Sequence, residues 1–216
     1  MAHRAGPSSL KARMTMDIIV KAVNRLEDRI HGSGSEDGVV SIETDPDTII
    51  CQFEHGACLR ALYGGRSAQF VTSEPITAKT RIGFMFGATL EKLPLRAAAC
   101  SILNVVTGFF CLSRVLKSCD PDRHKDCLLA LKQEIGQGRV FLPGMTPNAA
   151  ARFERVVATP GEADVILVVG DGLIDPETGD LLTKYHEKKH IIFLSPSTAG
   201  VTVLLGCPHW CPYGKG

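Results

Sequence analysis

The sequence predicts an α/β chain in two parts, an N-terminal α+β unit and a C-terminal, mainly parallel sheet with flanking helices. Two observations predict it. Residues 38–92 read as short strands and turns before helical material begins, whereas from Gly138 onward apolar β runs alternate with helix signals, the pattern of βαβ units. The composition is that of an ordinary globular chain: 216 residues, 44% hydrophobic and 22% charged, with 24 basic against 23 acidic side chains. Such a chain can bury a core without disulfide staples. A net charge of +1 gives no field to gather nucleic acid, so no nucleic-acid partner is expected.

The boundaries follow from changes of pattern. Residues 1–35 form an extension and a helix, residues 36–118 the α+β unit, and residues 119–216 the parallel unit with its tail. The first sixteen residues are basic and carry no apolar run of signal-peptide length, with Met14 and Met16 as alternative starts. Ile19, Val23, Leu26 and Ile30 then recur at helical spacing, with Asp17 where the helix dipole favours an acid. Gly32-Ser33-Gly34-Ser35 follows as a polar linker.

Val39, Val40 and Ile42, a Thr44-Asp45-Pro46-Asp47 turn, and the alternation of Ile49, Cys51 and Phe53 predict a hairpin with Cys51 facing inward. Further strands are expected over 68–72 and 81–86, and helix from about 89 through 116. The apolar stretch 97–116 is interrupted by Asn104, Thr107 and Arg114, so it reads as a buried helix rather than a membrane span. No membrane partner is expected.

In the second unit, strands are predicted over 139–142, 156–157, 163–169 and 190–194. Thr146-Pro147 gives an N-cap with proline at the first helical position, Asp175-Pro176 gives another, and a helix runs over 176–185. A last short helix ends at Gly206.

Ligands of open parallel sheets bind beyond the carboxyl ends of strands. Three such ends carry Gly144-Met145-Thr146, Gly170-Asp171-Gly172 and Ser195-Pro196-Ser197-Thr198, a rim of glycines, hydroxyls and a carboxylate suited to a small polar or anionic ligand. Asp171 is the candidate acid/base, or a turn residue that satisfies its own backbone. Ser197 and Thr198 either contact the ligand or cap the last helix. No GxGxxG follows a strand, and neither GxxxxGK[ST] nor GxSxG occurs.

Eight cysteines are the compositional excess. With no secretory leader seen, free thiols in a reducing cytoplasm are expected. Cys207, His209 and Cys211 form a compact set of soft donors, candidate ligands for a transition metal such as zinc or iron, although three donors do not close a structural site. The alternative is a stiff, proline-rich tail covering the sheet edge. Cys119 and Cys127 flank His124 and three acids, but seven intervening residues are not a usual chelating spacing. Cys100 and Cys111 read as small core residues on the buried helix, and Cys58 is unassigned.

Phe86-Gly87-Ala88-Thr89-Leu90-Glu91-Lys92-Leu93, Leu95-Arg96-Ala97-Ala98-Ala99-Cys100-Ser101-Ile102-Leu103-Asn104, Ala163-Asp164-Val165-Ile166-Leu167-Val168-Val169-Gly170-Asp171-Gly172 and Ser195-Pro196-Ser197-Thr198 resemble segments of the heavy-metal-chelation family. That resemblance implies an enolase-N-like α+β domain, a Rossmann-like second domain, and a ligand in the cleft between them. It places Asn104 in the cleft; read on its own, Asn104 is equally a buried amide held by backbone. The chain departs from the family in having Ser195 where a glycine is usual and in its cysteine tail.

The function expected is binding of a metal or metallo-cofactor. The alternatives are an enzyme acting on a small anionic metabolite or nucleotide, and a homo-oligomerising module using Ile19, Val23 and Leu26.

Overall fold

The computed structural model describes residues 17–216; the basic extension with Met14 and Met16 lies outside the described residues. Helix α1, Ile18–Ile30, opens on Asp17, whose Oδ1 accepts from the N–H groups of Ile19 and Val20. Its apolar stripe, Ile19, Val23 and Leu26, is at most 1% exposed inside this chain's own core. The stripe expected to meet a partner is therefore used internally.

Strands β1 (Val39–Thr44), β2 (Ala57–Tyr63), β3 (Arg66–Thr72) and β4 (Ala78–Arg81) form an antiparallel sheet of order β3-β2-β1-β4. The partner of β1 in the hairpin is β2, with Ile42 opposite Ala61, and not the expected 49–53. Ile49 is exposed, while Cys51 and Phe53 turn inward to a second core under the parallel sheet. Burial there, rather than strand pairing, accounts for their alternation. Residues 82–85, expected as strand, are a 3₁₀ turn after β4.

Helix α2, Leu93–Phe109, is buried almost throughout. It ends seven residues short of the expected limit because Phe110 closes it and Cys111 takes positive φ. Cys111 is exposed, contrary to its expected place in the core. Cys100 is fully buried as expected, and Cys58 lies buried in β2. Among the described residues, no helix is long and apolar enough to cross a membrane.

The second half runs α3 (His124–Ile135), β5 (Val140–Phe141), α4 (Pro147–Ala150), β6 (Val165–Val168), α5 (Gly170–Ile174), α6 (Pro176–Tyr185), β7 (His190–Leu194), α7 (Ala199–Leu205) and β8 (His209–Trp210). The four strands are parallel in the order β5-β6-β7-β8. Residues 156–157 contribute a single bridge from Val156 to Val140 instead of a strand. The period of two sorts side chains between two cores. Ile166, Val168, Ile191 and Phe193 join α1, α2 and the antiparallel sheet, while Val165, Leu167, Ile192 and Leu194 join Phe53, Leu131 and Trp210.

Gly170-Asp171-Gly172, expected as a loop, opens α5. The rim glycines serve close backbone approach. Gly144 has φ +75°, and a Cβ there would lie 2.0 Å from the Gly172 nitrogen; a Cβ on Gly172 would lie 2.3 Å from the Pro143 carbonyl. Gly144→Ala combines left-handed strain with a clash against backbone that cannot rotate away, and is expected to cost about 3 kcal/mol in urea unfolding. A loss within about 0.5 kcal/mol would show that this contact relaxes freely.

Candidate functional site

The structure brings the expected rim together, but its polar atoms are spent on joining the two sheets or on local caps. Ser197 Oγ accepts from the Val71 N–H at 2.9 Å. Asn104 Nδ2 donates to the carbonyls of Gln69 and Ser197, at 3.0 and 3.1 Å, while its Oδ1 accepts from the Gly200 N–H at 2.8 Å. Asp171 accepts from the Ser73 N–H through both oxygens, at 3.0 and 3.2 Å. Thr198 Oγ1 donates to the Leu194 carbonyl, and Thr146 caps α4 by accepting from the Ala149 N–H. Ser195, Ser197 and Thr198 are at most 1% exposed. Strand order is sequential, so the parallel sheet has no point at which its order reverses, the feature that opens a ligand crevice in doubly wound folds.

One group at this junction escaped the sequence reading. Glu54 Oε1 accepts from Ser195 Oγ at 2.7 Å and from the Gly170 N–H at 3.3 Å, whereas Oε2 is out of solvent without a partner. Burial lifts its carboxyl from 4.5 to about 7, with Asp171 adding to the rise and the Ser197 and Ser195 hydroxyls and the Gly170 N–H opposing it. His55 follows in sequence, with Nε2 3.5 Å from Asp171 Oδ2.

A raised folded-state pKa means that the folded chain keeps a proton the unfolded chain has lost. The associated stability is complete below about pH 4.5 and falls away as pH rises through about 7. Glu54→Gln is therefore expected to gain on wild type by about 3 kcal/mol between acid and mildly alkaline pH, read from paired urea unfolding curves. A difference between the two proteins that does not change with pH would contradict this.

The tail does not assemble as its spacing suggested. His209 Nε2 lies 2.8 Å from the Ser195 carbonyl, and Cys207 packs toward the first core with Phe193 and Leu205. Only Cys211 enters a cavity of thiols. There it meets Cys51 from the loop after β1, and Cys119 and Cys127 from the segment that starts α3. Cys51, Cys119 and Cys127 are 7–8% exposed. Burial raises all four thiols, Cys51 well above its ordinary value and Cys211 to about 12; repulsion from neighbouring thiols adds to the rise at Cys51, Cys127 and Cys211, and Asp120 and Asp122 add to it at Cys119. The cavity is small, about 10 Å³, near the lower limit for one water-sized occupant.

Sequence spacing gave no access to this cluster, because its donors come from three separated segments. Among the described residues, no group of three or more Cys, His, Asp or Glu side chains is placed so that it could hold a metal ion. Four cysteine sulfurs and the neutral imidazole of His124 line the one small void. Burial and the nearby Arg152 cation both favour that neutral imidazole. Compared with known proteins, the chain matches no family model, no curated protein and no solved structure.

Proposed function

We propose that the protein binds one thiophilic metal ion, zinc or iron, through Cys51, Cys119, Cys127 and Cys211, and acts in handling a metal or metallo-cofactor. The observation that carries this reading is the convergence of four thiols, three of them buried and Cys211 half-buried, from three segments on one void. Four thiolates are a full tetrahedral set, and sulfur selects zinc or iron over hard cations. A void of this size suits a single ion and is too small for a multinuclear cluster. Binding requires the thiols to lose their protons and rotate inward, with the ion compensating the negative charge whose burial cost otherwise keeps them protonated. The antiparallel sheet with α2 suits the enolase-N-like part of the heavy-metal-chelation resemblance, whereas the sequential parallel sheet lacks the order reversal of a Rossmann-like domain.

Metal content after reducing, anaerobic purification tests the proposal. Wild type and Cys207→Ser are expected to hold about one equivalent, and Cys127→Ser and Cys211→Ser to lose it. Loss in Cys207→Ser with retention in Cys127→Ser would return the site to the tail trio. A wild type that carries no metal and takes up none would end the metal reading.

Glu54 favours a second reading, an enzyme acting on a small anionic metabolite or nucleotide. A carboxyl near neutral pKa beside Asp171 and His55 suits proton transfer. A thermal-shift screen against phosphorylated metabolites tests it; stabilisation of wild type that disappears in Asp171→Asn is the supporting result, and no shift with any of them counts against it.

A further inference from the structure

Strand β7 has one side that is only half covered. The Phe193 N–H donates to the Pro208 carbonyl and the Ser195 N–H to the Trp210 carbonyl, whereas the His190 N–H turns the other way, to the Asp164 carbonyl at the start of β6. Backbone groups alternate sides along a strand, so the N–H and C=O of Ile191 face the β8 side. Pairing with β8 nevertheless begins only at Phe193. The next donor to the Ile191 carbonyl would come from position 208, a proline with no N–H, and Gly206, at φ +69°, turns the chain before it reaches the edge.

Beside this open edge lies a cavity of about 540 Å³ with an apolar floor of Ile18, Leu182, Phe193 and Leu205. A second cavity, of about 400 Å³, continues it past Leu205 and Gly206 to Val203, Arg25 and Arg29. The charge around them is one-sided. Lys21, Arg25 and Arg29 recur one turn apart on an exposed face of α1, and none of them makes an ion pair among the described residues. His186 and His190 stand on the rim, with Glu187 3.6 Å from His186 Nε2. Lys189 is spent on the Gly161 and Ala163 carbonyls. Asp28 is the one acid among the residues lining either cavity.

We propose that this edge docks an extended acidic peptide segment of a partner protein, with an apolar side chain seated between Leu182 and Leu205 and carboxylates facing Lys21, Arg25 and Arg29. An open strand edge supplies main-chain hydrogen bonds, and a pocket beside it takes a side chain. Charge decides between occupants. A second copy of the chain would set like charges against one another, and residues 1–16 carry Arg4, Lys11 and Arg13 with no acid, so both are disfavoured. Nucleic acid would meet the cations but has no strand to offer the edge.

Random peptides displayed on phage and selected against the immobilised full-length protein test this. Selection is expected to enrich an apolar residue flanked by aspartate or glutamate. A labelled synthetic copy of the enriched peptide, followed by fluorescence anisotropy, should bind Lys21→Glu and Arg25→Glu about 10-fold more weakly than wild type, and wild type more weakly as salt rises. N-methylation of its backbone beside the apolar residue, which removes a ladder donor, should also cost about 10-fold. Both substituted positions are exposed on α1, so the variants keep the fold. Failure to enrich any peptide, or enrichment of one that binds both variants as it binds wild type, would overturn the proposal. Binding of single-stranded DNA or of phosphatidylserine vesicles without peptide enrichment would also overturn it, and would make the face a general anion surface.

Discussion

Asn104→Ala is expected to lower the free energy of unfolding by about 4 kcal/mol. The amide makes three buried hydrogen bonds to backbone, joining α2 to β3 through Gln69 and to the start of α7 through Ser197 and Gly200. Alanine leaves two carbonyls and one N–H unmatched in a region closed to water, at about 1–3 kcal/mol each before relaxation. The methyl group also leaves space where α2 and α7 meet closely, since a Cβ on Gly200 would lie 2.7 Å from the Asn104 nitrogen. Urea unfolding measures the loss, and metal content per folded molecule should not change, because Asn104 does not line the thiol cavity. A loss below about 1 kcal/mol would mean that the junction repacks or hydrates at little cost.

The second large effect is metal-linked stability. Zinc at about a thousand times its dissociation constant adds roughly 4 kcal/mol, provided that it binds the folded chain alone. For a chain of this size that corresponds to a rise of about 10 °C in the melting temperature. The ion would reinforce contacts that already join the loop after β1, the segment entering α3 and the tail after β8: Gln52 Nε2 donates to the His124 carbonyl. Lys215 pairs with Asp120, and Arg123 lies over the Tyr213 ring. The gain should disappear in Cys127→Ser and persist in Cys207→Ser. It should also shrink as pH falls, because burial holds these thiols protonated and each must give up its proton to bind. Equal melting temperatures with zinc and with chelator would contradict it.

Local chemistry was the legible part of the sequence. The spacing in α1, the Thr146 and Asp175 caps, and the apolar runs of β6 and β7 all rest on contacts within a few residues, and each element stands where its pattern put it. The hairpin failed for a physical reason. Alternation over Ile49, Cys51 and Phe53 records burial of every second side chain, which a loop lying on a sheet also achieves, whereas Gly64-Gly65, both at positive φ, was the stronger turn signal and joins β2 to β3.

The rim shows the same limit. Strand ends and glycines were located correctly, but whether they face a ligand or another layer of the fold depends on what β3 and Glu54 do more than a hundred residues away. Asn104, Ser195, Ser197 and Asp171 have their hydrogen bonds at the junction between the sheets. Spacing misled most at the cysteines. Cys207 and Cys211 are neighbours in sequence that separate across β8, whereas Cys51 and Cys211 share a cavity from 160 residues apart.

Zinc K-edge X-ray absorption on the zinc-loaded, full-length protein tests the central claim most directly, because it counts the atoms bound to the metal. Ligation by Cys51, Cys119, Cys127 and Cys211 predicts a single shell of four sulfurs at about 2.3 Å. A shell containing nitrogen or oxygen at about 2.0–2.1 Å, with two sulfurs or fewer, would contradict it and point back to Cys207, His209 and Cys211.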